Sequence, residues 1–227
     1  MAGEVIPEVV NRLGLDYLGL TERELRDVIE PIISSIAEAR STKPSVESLV
    51  KRIVAGKQML FKALAARLLE REELNMEQLE FIISYAPDIA GRAAPKLYRI
   101  AARIGADHII DALRTLWEQY GKPTRVECPY CGFRSVTPNL ECIVCGRAVE
   151  ERDLKEKIGF RRLLERFAEE ADPVLVEEAA RTGLVLYDGD VKPPSLRASS
   201  PLAVELFLTK SERDLLKSIL SRRSLRV

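Results

Sequence analysis

Residues 128–146, CPYCGFRSVTPNLECIVCG, hold all four cysteines of this 227-residue chain. They form two copies of Cys-x-x-Cys-Gly, Cys128 to Gly132 and Cys142 to Gly146, with ten residues between Cys131 and Cys142. A Cys-x-x-Cys turn presents two sulfurs from one tight knuckle, and two knuckles bring four thiolates to a tetrahedral metal at about 2.3 Å. The glycine after each pair lets the chain turn back, so that N–H groups approach the sulfurs where a side chain would intrude. Redox-active Cys-x-x-Cys pairs normally occur singly beside a βαβ pattern, a context missing here. Cys128, Cys131, Cys142 and Cys145 are therefore read as metal ligands. Zinc is the favoured occupant, with iron the alternative because it accepts the same four thiolates. Between the knuckles, 133–136 reads as a strand, 137–139 as a turn and 140–141 as the return. The metal's role is to pin a loop that buries too little surface to fold by itself, so that binding energy becomes folding energy.

Over residues 124–149 this arrangement resembles the zinc-ribbon and rubredoxin-like four-cysteine modules, matching their paired knuckles at Cys128, Cys131, Cys142 and Cys145. The resemblance implies a metal-pinned β-hairpin with no catalysis of its own in the zinc form. Short ribbons of this kind occur in transcription, translation and replication proteins, which raises nucleic-acid-associated functions.

Outward from the ribbon the pattern is helical. Thr21 with Glu24 has the form of a capping box, followed by an apolar stripe at helical spacing from Leu25 to Ile36, with Pro31 inside it. A break is expected at Ser41 to Pro44. Ser45 then caps a long helix reaching about Glu73, with Leu49, Ile53, Leu60, Leu64 and Leu68 inward. Asn75 with Gln78 starts a third helix to Tyr85. A fourth spans about Ile89 to Ile104, with Pro95 inside, and stops at Gly105. A fifth, Asp107 to Gln119, places Ile110, Leu113, Leu116 and Trp117 on one side. C-terminal to the cysteines, helices are expected at 151–170 and at 173–181, the second with Asp172 as cap. Leu184 to Tyr187 is strand-like, Asp188-Gly189 is a turn, 192–201 is a linker or exposed loop, and Thr209 with Glu212 opens a last helix. The expected fold is mainly α: a helical bundle over 1–121, an inserted four-cysteine zinc ribbon over 122–150, and a helical and hairpin region with a basic tail over 151–227.

Lys+Arg and Asp+Glu each number 35, 46% of residues are hydrophobic, and the sequence pI is near 6.7. That profile excludes a chain disordered throughout and argues against a generic nucleic-acid coat protein. No apolar run is long enough to span a membrane, and the first ten residues lack the basic and apolar blocks of a signal peptide, so a cytoplasmic protein is expected. Within the fourth helix Arg92, Lys96, Arg99 and Arg103 fall on one face, and Arg134 lies in the ribbon. Such a row can track phosphates, although charged outer faces also serve as solvated surface or ion-pair networks. Tyr130, Phe133, Tyr98 and Tyr120 are the aromatics available for stacking on bases; packing on Trp117, to seat the ribbon, is the favoured role for Tyr130 and Phe133. The single histidine, His108, stands beside Asp107 and Asp111 with no nucleophile motif. Phosphate-loop, dinucleotide, HExxH and GxSxG motifs are all missing from the sequence. The expected function is a non-enzymatic zinc-ribbon adaptor docking on nucleic acid or a nucleoprotein machine. Alternatives are a protein–protein scaffold or assembly factor with a structural zinc, and an enzyme with a carboxylate and His108 cleft.

Overall fold

Several helices here begin where side chains satisfy backbone donors that a helix start leaves unpaired. The computed structural model describes residues 2–38 and 44–225. In it, Thr21 N–H donates to Glu24 Oε2 at 2.8 Å while Glu24 N–H donates back to Thr21 Oγ1 at 3.3 Å. Asn75 with Gln78 and Thr209 with Glu212 close the same reciprocal box, and Ser45 and Asp172 cap their helices singly. The chain divides into two units, Met1–Gly121 and Lys122–Val227.

The first unit holds α1 (Ala2–Leu13), a single 3-10 turn at Asp16–Leu18, α2 (Glu22–Glu38), α3 (Val46–Ala55), α4 (Lys57–Leu68), α5 (Met76–Tyr85), α6 (Pro87–Arg92), α7 (Ala94–Arg103) and α8 (Asp107–Tyr120). Eight α-helices among the described residues replace the five expected. The periodicity of Val5, Ile6, Val9 and Val10 forms α1, which the sequence reading passed over; all four are buried. The long second helix is interrupted at Gly56, which ends α3 and starts α4, and it stops at Leu68 rather than near Glu73. The fourth is interrupted at Ala93, because Pro95 lacks the N–H that would continue the ladder and its ring crowds the preceding turn. The expected break at Ser41 to Pro44 lies, except for Pro44, outside the described residues. Leu49, Ile53, Leu60, Leu64, Leu68, Leu79, Ile82, Leu97, Leu113 and Trp117 are all buried. On α2 the stripe is buried fully at Ile29 and Ile33 and partly elsewhere.

One polar contact ties distant parts of this unit together. Glu24 accepts from Arg71 Nη2 at 2.7 Å and Nε at 3.1 Å, and Arg71 Nη2 also donates to the Gly19 carbonyl at 3.0 Å. The Arg71 hydrogen bonds hold the Glu24 carboxyl at about 2, far below its ordinary 4.5. A carboxylate shifted this way stabilises the fold above about pH 4.5 and loses that effect as pH falls through about 2. Glu24→Gln is expected to cost about 1–2 kcal/mol at pH 7, allowing for water at the rim of the pair. The cost should shrink as urea melts are repeated from pH 5 down to pH 2.5; a pH-independent cost would contradict this account.

The second unit contains the ribbon, then α9 (Glu151–Lys157), α10 (Phe160–Glu170), α11 (Pro173–Thr182), β1 (Leu184–Tyr187), β2 (Val191–Lys192), β3 (Val204–Phe207) and α12 (Lys210–Ser224). Gly159, with φ at 63°, divides the single helix expected over 151–170. The strands form an antiparallel sheet in the order β2-β1-β3, with Leu186 opposite Lys192 and Tyr187 opposite Val204. The expected linker over 192–201 is part of this unit. It forms a 3-10 turn at Pro194–Ser199, pinned by Ser195 N–H and Oγ to Glu178 at 2.9 and 2.8 Å. Lys192 Nζ donates to the buried Asp188 at 2.7 Å and to Ser200 Oγ at 3.1 Å. No helix among the described residues is long and apolar enough to cross a membrane.

Candidate metal centre

The two knuckles are built alike, bond for bond. Cys128 N–H donates to the Phe133 carbonyl at 2.8 Å, and Cys142 N–H to that of Arg147 at 3.0 Å. Gly132 N–H donates to the Cys128 carbonyl at 3.0 Å, and Gly146 N–H to that of Cys142 at 2.9 Å. Both glycines are left-handed, with φ of 75° and 72°, a conformation that glycine adopts without a Cβ penalty. The connecting backbone pairs as a ribbon. Antiparallel bridges join Glu127 to Arg134, Val136 to Cys142 and Glu141 to Ala148, and a turn at 137–140 closes through Leu140 N–H to the Thr137 carbonyl. Val126, Phe133, Val136, Val144 and Val149 fill the small interior between the strands and knuckles.

This scaffold brings the four sulfurs to within 4.8 Å of one another. Cys128 Sγ and Cys145 Sγ are 3.9 Å apart, and Cys131 Sγ and Cys142 Sγ 3.6 Å. All four are free thiols. A tetrahedron with metal–sulfur bonds of about 2.3 Å has an edge of about 3.8 Å, so these separations fit one ion held by four thiolates. Cys128, Cys131 and Cys142 are buried and Cys145 is half-buried. Further donors point at the sulfurs: Cys145 N–H lies 3.3 Å from Cys142 Sγ, the buried Ser135 Oγ 3.0 Å from it, and the Phe133 and Arg147 N–H groups serve Cys131 and Cys145. Hydrogen bonds from Cys128 and Cys131, with those of Ser135 and Cys145 N–H, hold the Cys142 thiol well below the ordinary range. The same sharing of protons pushes the Cys131 thiol up, and burial pushes that of Cys145 up to about 11. Four sulfurs this close share their protons, and a cation that replaces those protons removes their competition.

The ribbon is tied to the helices that follow it. Tyr130 Oη donates to Asp153 on α9 at 2.8 Å and accepts from Glu150 N–H at 3.3 Å, while the Arg147 guanidinium lies over its ring. From α9, Lys155 reaches Glu212 at 3.1 Å, in the capping box of α12, and Glu151 accepts from Phe207 N–H on β3 at 2.8 Å. Phe133 is buried and offers no stacking face, and Tyr130 is engaged on both its hydroxyl and its ring.

The remaining candidates occupy less concerted positions. Arg92 ends α6, whereas Lys96, Arg99 and Arg103 belong to α7, so the expected single helical face is split by the break at Ala93. Arg92 pairs with Asp88 at 2.8 Å, a carboxylate shared with Lys62 at 2.9 Å; hydrogen bonds from Lys62 and Arg92 hold the Asp88 carboxyl below its usual range. Lys96 donates to the Leu69 carbonyl, Arg99 to that of Pro95 at 3.1 Å, and Arg103 lies 3.9 Å from Glu73. Arg134 is exposed on the ribbon, beside Tyr187, Lys157 and Glu127. His108 is exposed at the start of α8 with Nε2 3.3 Å from Glu80. Sequence reading missed an aromatic cluster in the first unit, where Phe61, Phe81, Tyr85 and Tyr17 meet in edge-to-face and tilted pairs at 4.6 to 6.4 Å. It also missed an apolar cleft between α2, α3 and α4, lined by Pro31, Ile32, Ile36, Ile53 and Met59. No protein-family model, curated protein or solved structure matches the chain.

Proposed function

We propose that the chain is a non-enzymatic adaptor whose zinc ribbon is a structural element, and that it docks on nucleic acid or a nucleoprotein machine. The observation that carries this reading is the donor set: four thiolates from two matched knuckles, three of them buried, with backbone N–H groups aimed at the sulfurs. Four protein ligands complete the tetrahedral shell of zinc and leave no position for water or substrate, as in structural sites and unlike catalytic ones. Zinc is preferred to iron because the role argued here is folding energy, which a redox-inert ion supplies without side chemistry. The site's contacts through Tyr130 and Asp153 to α9, and through Lys155 to Glu212, make the metal the anchor of the second unit rather than an isolated appendage.

Exposed cations support the choice of nucleic acid as partner. In the row, Arg99 bonds to a carbonyl of its own helix and is the member free to exchange that bond for a phosphate; Arg92, Lys96 and Arg103 are the other proposed contacts of the first unit, and Arg134 is the proposed contact on the ribbon. Fluorescence anisotropy with mixed RNA and DNA oligonucleotides at 50 and 200 mM salt tests the reading. Binding that weakens at least tenfold between the two conditions is expected, since each neutralised phosphate releases counterions. If no oligonucleotide binds at 50 mM salt, the nucleic-acid reading fails and the protein–protein scaffold replaces it.

A further inference from the structure

We propose that the groove between α11 and α12 is a binding site for the phosphodiester backbone of single-stranded nucleic acid. The inference rests on the nucleic-acid reading above and gives it a location that the sequence row does not. The groove has a volume of 670 Å³ and is lined by Arg181 on α11 and by Arg213 and Lys217 on α12, over a floor that includes Pro173, Ala180 and Leu220. The side chains of Arg181, Arg213 and Lys217 make no hydrogen bond or ion pair with any described residue. The contrast with the Arg92 row is direct, because Arg92, Lys96 and Arg103 each lie against an oxygen of another residue.

The positions of these cations follow from the fold. Gly183 ends α11 in the left-handed conformation, and the Arg213 side chain lies across it: a Cβ there would stand 3.5 Å from Arg213 Cδ and 3.6 Å from Nη1. The Arg213 side chain thus reaches from α12 over the end of α11. Lys217 is one helical turn beyond Arg213, about 6 Å along the axis at 1.5 Å per residue. Glu212, next to Arg213 in sequence, is held in its capping box and by Lys155. Glu177 is the carboxylate among the lining residues, against three cations. Successive single charges along an open groove suit a chain of phosphates, with guanidiniums able to grip two oxygens at once. Pro173 and Leu220 add apolar surface on which a sugar or base can rest between the cations.

The test uses the full, zinc-loaded chain and a labelled oligo-dT of about twelve nucleotides, with anisotropy read across a salt series. Arg181→Gln, Arg213→Gln and Lys217→Gln combined is expected to weaken binding at least tenfold at low salt. It should also lower the slope of log affinity against log salt by about 2, the value for three single-strand phosphate contacts. The charge-conserving variant Arg181→Lys, Arg213→Lys and Lys217→Arg should keep the slope, which separates lost charge from lost fold. Arg92→Gln, Arg99→Gln and Arg103→Gln combined should also weaken binding, but less than the groove variant, because Arg92 and Arg103 already lie against carboxylates. The reverse order, with the row variant abolishing binding and the groove variant unchanged, overturns the groove and leaves the nucleic-acid reading standing. No binding of oligo-dT by the parent chain overturns the groove, and the nucleic-acid reading falls with it only if the mixed RNA and DNA oligonucleotides also fail to bind. Capture of poly-glutamate through the same three residues, with oligo-dT unbound, also overturns the groove as a nucleic-acid site.

Discussion

Replacing Cys142 by serine is expected to destabilise the second unit by about 3–5 kcal/mol, lowering its melting temperature by roughly 15–30 °C. Structural zinc contributes apparent binding energies of about 10–16 kcal/mol in small zinc modules, and folding is where that energy appears. Cys142 is the ligand whose loss should matter most. It is buried, it receives Cys145 N–H at 3.3 Å and Ser135 Oγ at 3.0 Å, and its own backbone pairs with Val136 across the ribbon. Cys145 is half-buried, so Cys145→Ser, which leaves three thiolates and room for water, should cost less. Elemental analysis of the parent protein should give about one zinc per chain, by the four-thiolate argument, and chelation should reproduce the Cys142→Ser melting behaviour reversibly. The helical signal of residues 2–121 should persist in both cases, because Leu49, Leu64, Leu79, Leu97 and Leu113 supply that unit with its own core. A parent protein free of metal after anaerobic purification, or an unchanged melt in the variant, would refute the structural role of the site.

The features that were legible in the sequence share one property: their partners lie within a few residues. Thr21 and Glu24, Asn75 and Gln78, and Thr209 and Glu212 are three apart, and each knuckle spans five residues, so a local pattern contains the whole interaction. The apolar stripes gave the mainly α class for the same reason. What stayed hidden needed either long-range partners or a choice between two local outcomes. The Arg71–Glu24 pair closes across 47 residues, and β3 pairs with β1 from another part of the chain. The aromatic cluster brings Tyr17 and Phe61, from two other elements, to Phe81 and Tyr85 on α5, so no window of sequence contains it. The apolar period runs on across Gly56, Ala93 and Gly159, where the backbone stops. For the cations, spacing revealed which residues stand in a row. It did not reveal that Asp88, the Leu69 carbonyl and Glu73 lie against three of them while Arg181, Arg213 and Lys217 are left open.

Gly91→Ala carries the second large effect, a loss of about 2–4 kcal/mol from the first unit. Read as helix propensity alone, the substitution should stabilise by roughly 1 kcal/mol, since glycine is the poorer helix former. The packing reverses the sign. A Cβ on Gly91 would stand 2.4 Å from the Leu116 carbonyl oxygen and 2.8 Å from Tyr120 Cβ. The first of these is backbone and has no rotamer by which to withdraw. Ala86, Ala90 and Ala94 are buried on the same short stretch, so α6 meets α8 through small residues, and the approach of the two backbones depends on the missing side chain. Relief would require α6 to move off α8, opening the close approach of Gly91 to Leu116 and Tyr120. Gly56→Ala is the control: its Cβ would meet only the Arg52 and Ile53 carbonyl oxygens, at 3.4 and 3.9 Å, with φ at −91°. Urea denaturation should place Gly56→Ala within about 1 kcal/mol of the parent and Gly91→Ala well below it. Equal stabilities for the two variants would mean that α6 and α8 do not pack at the distance described.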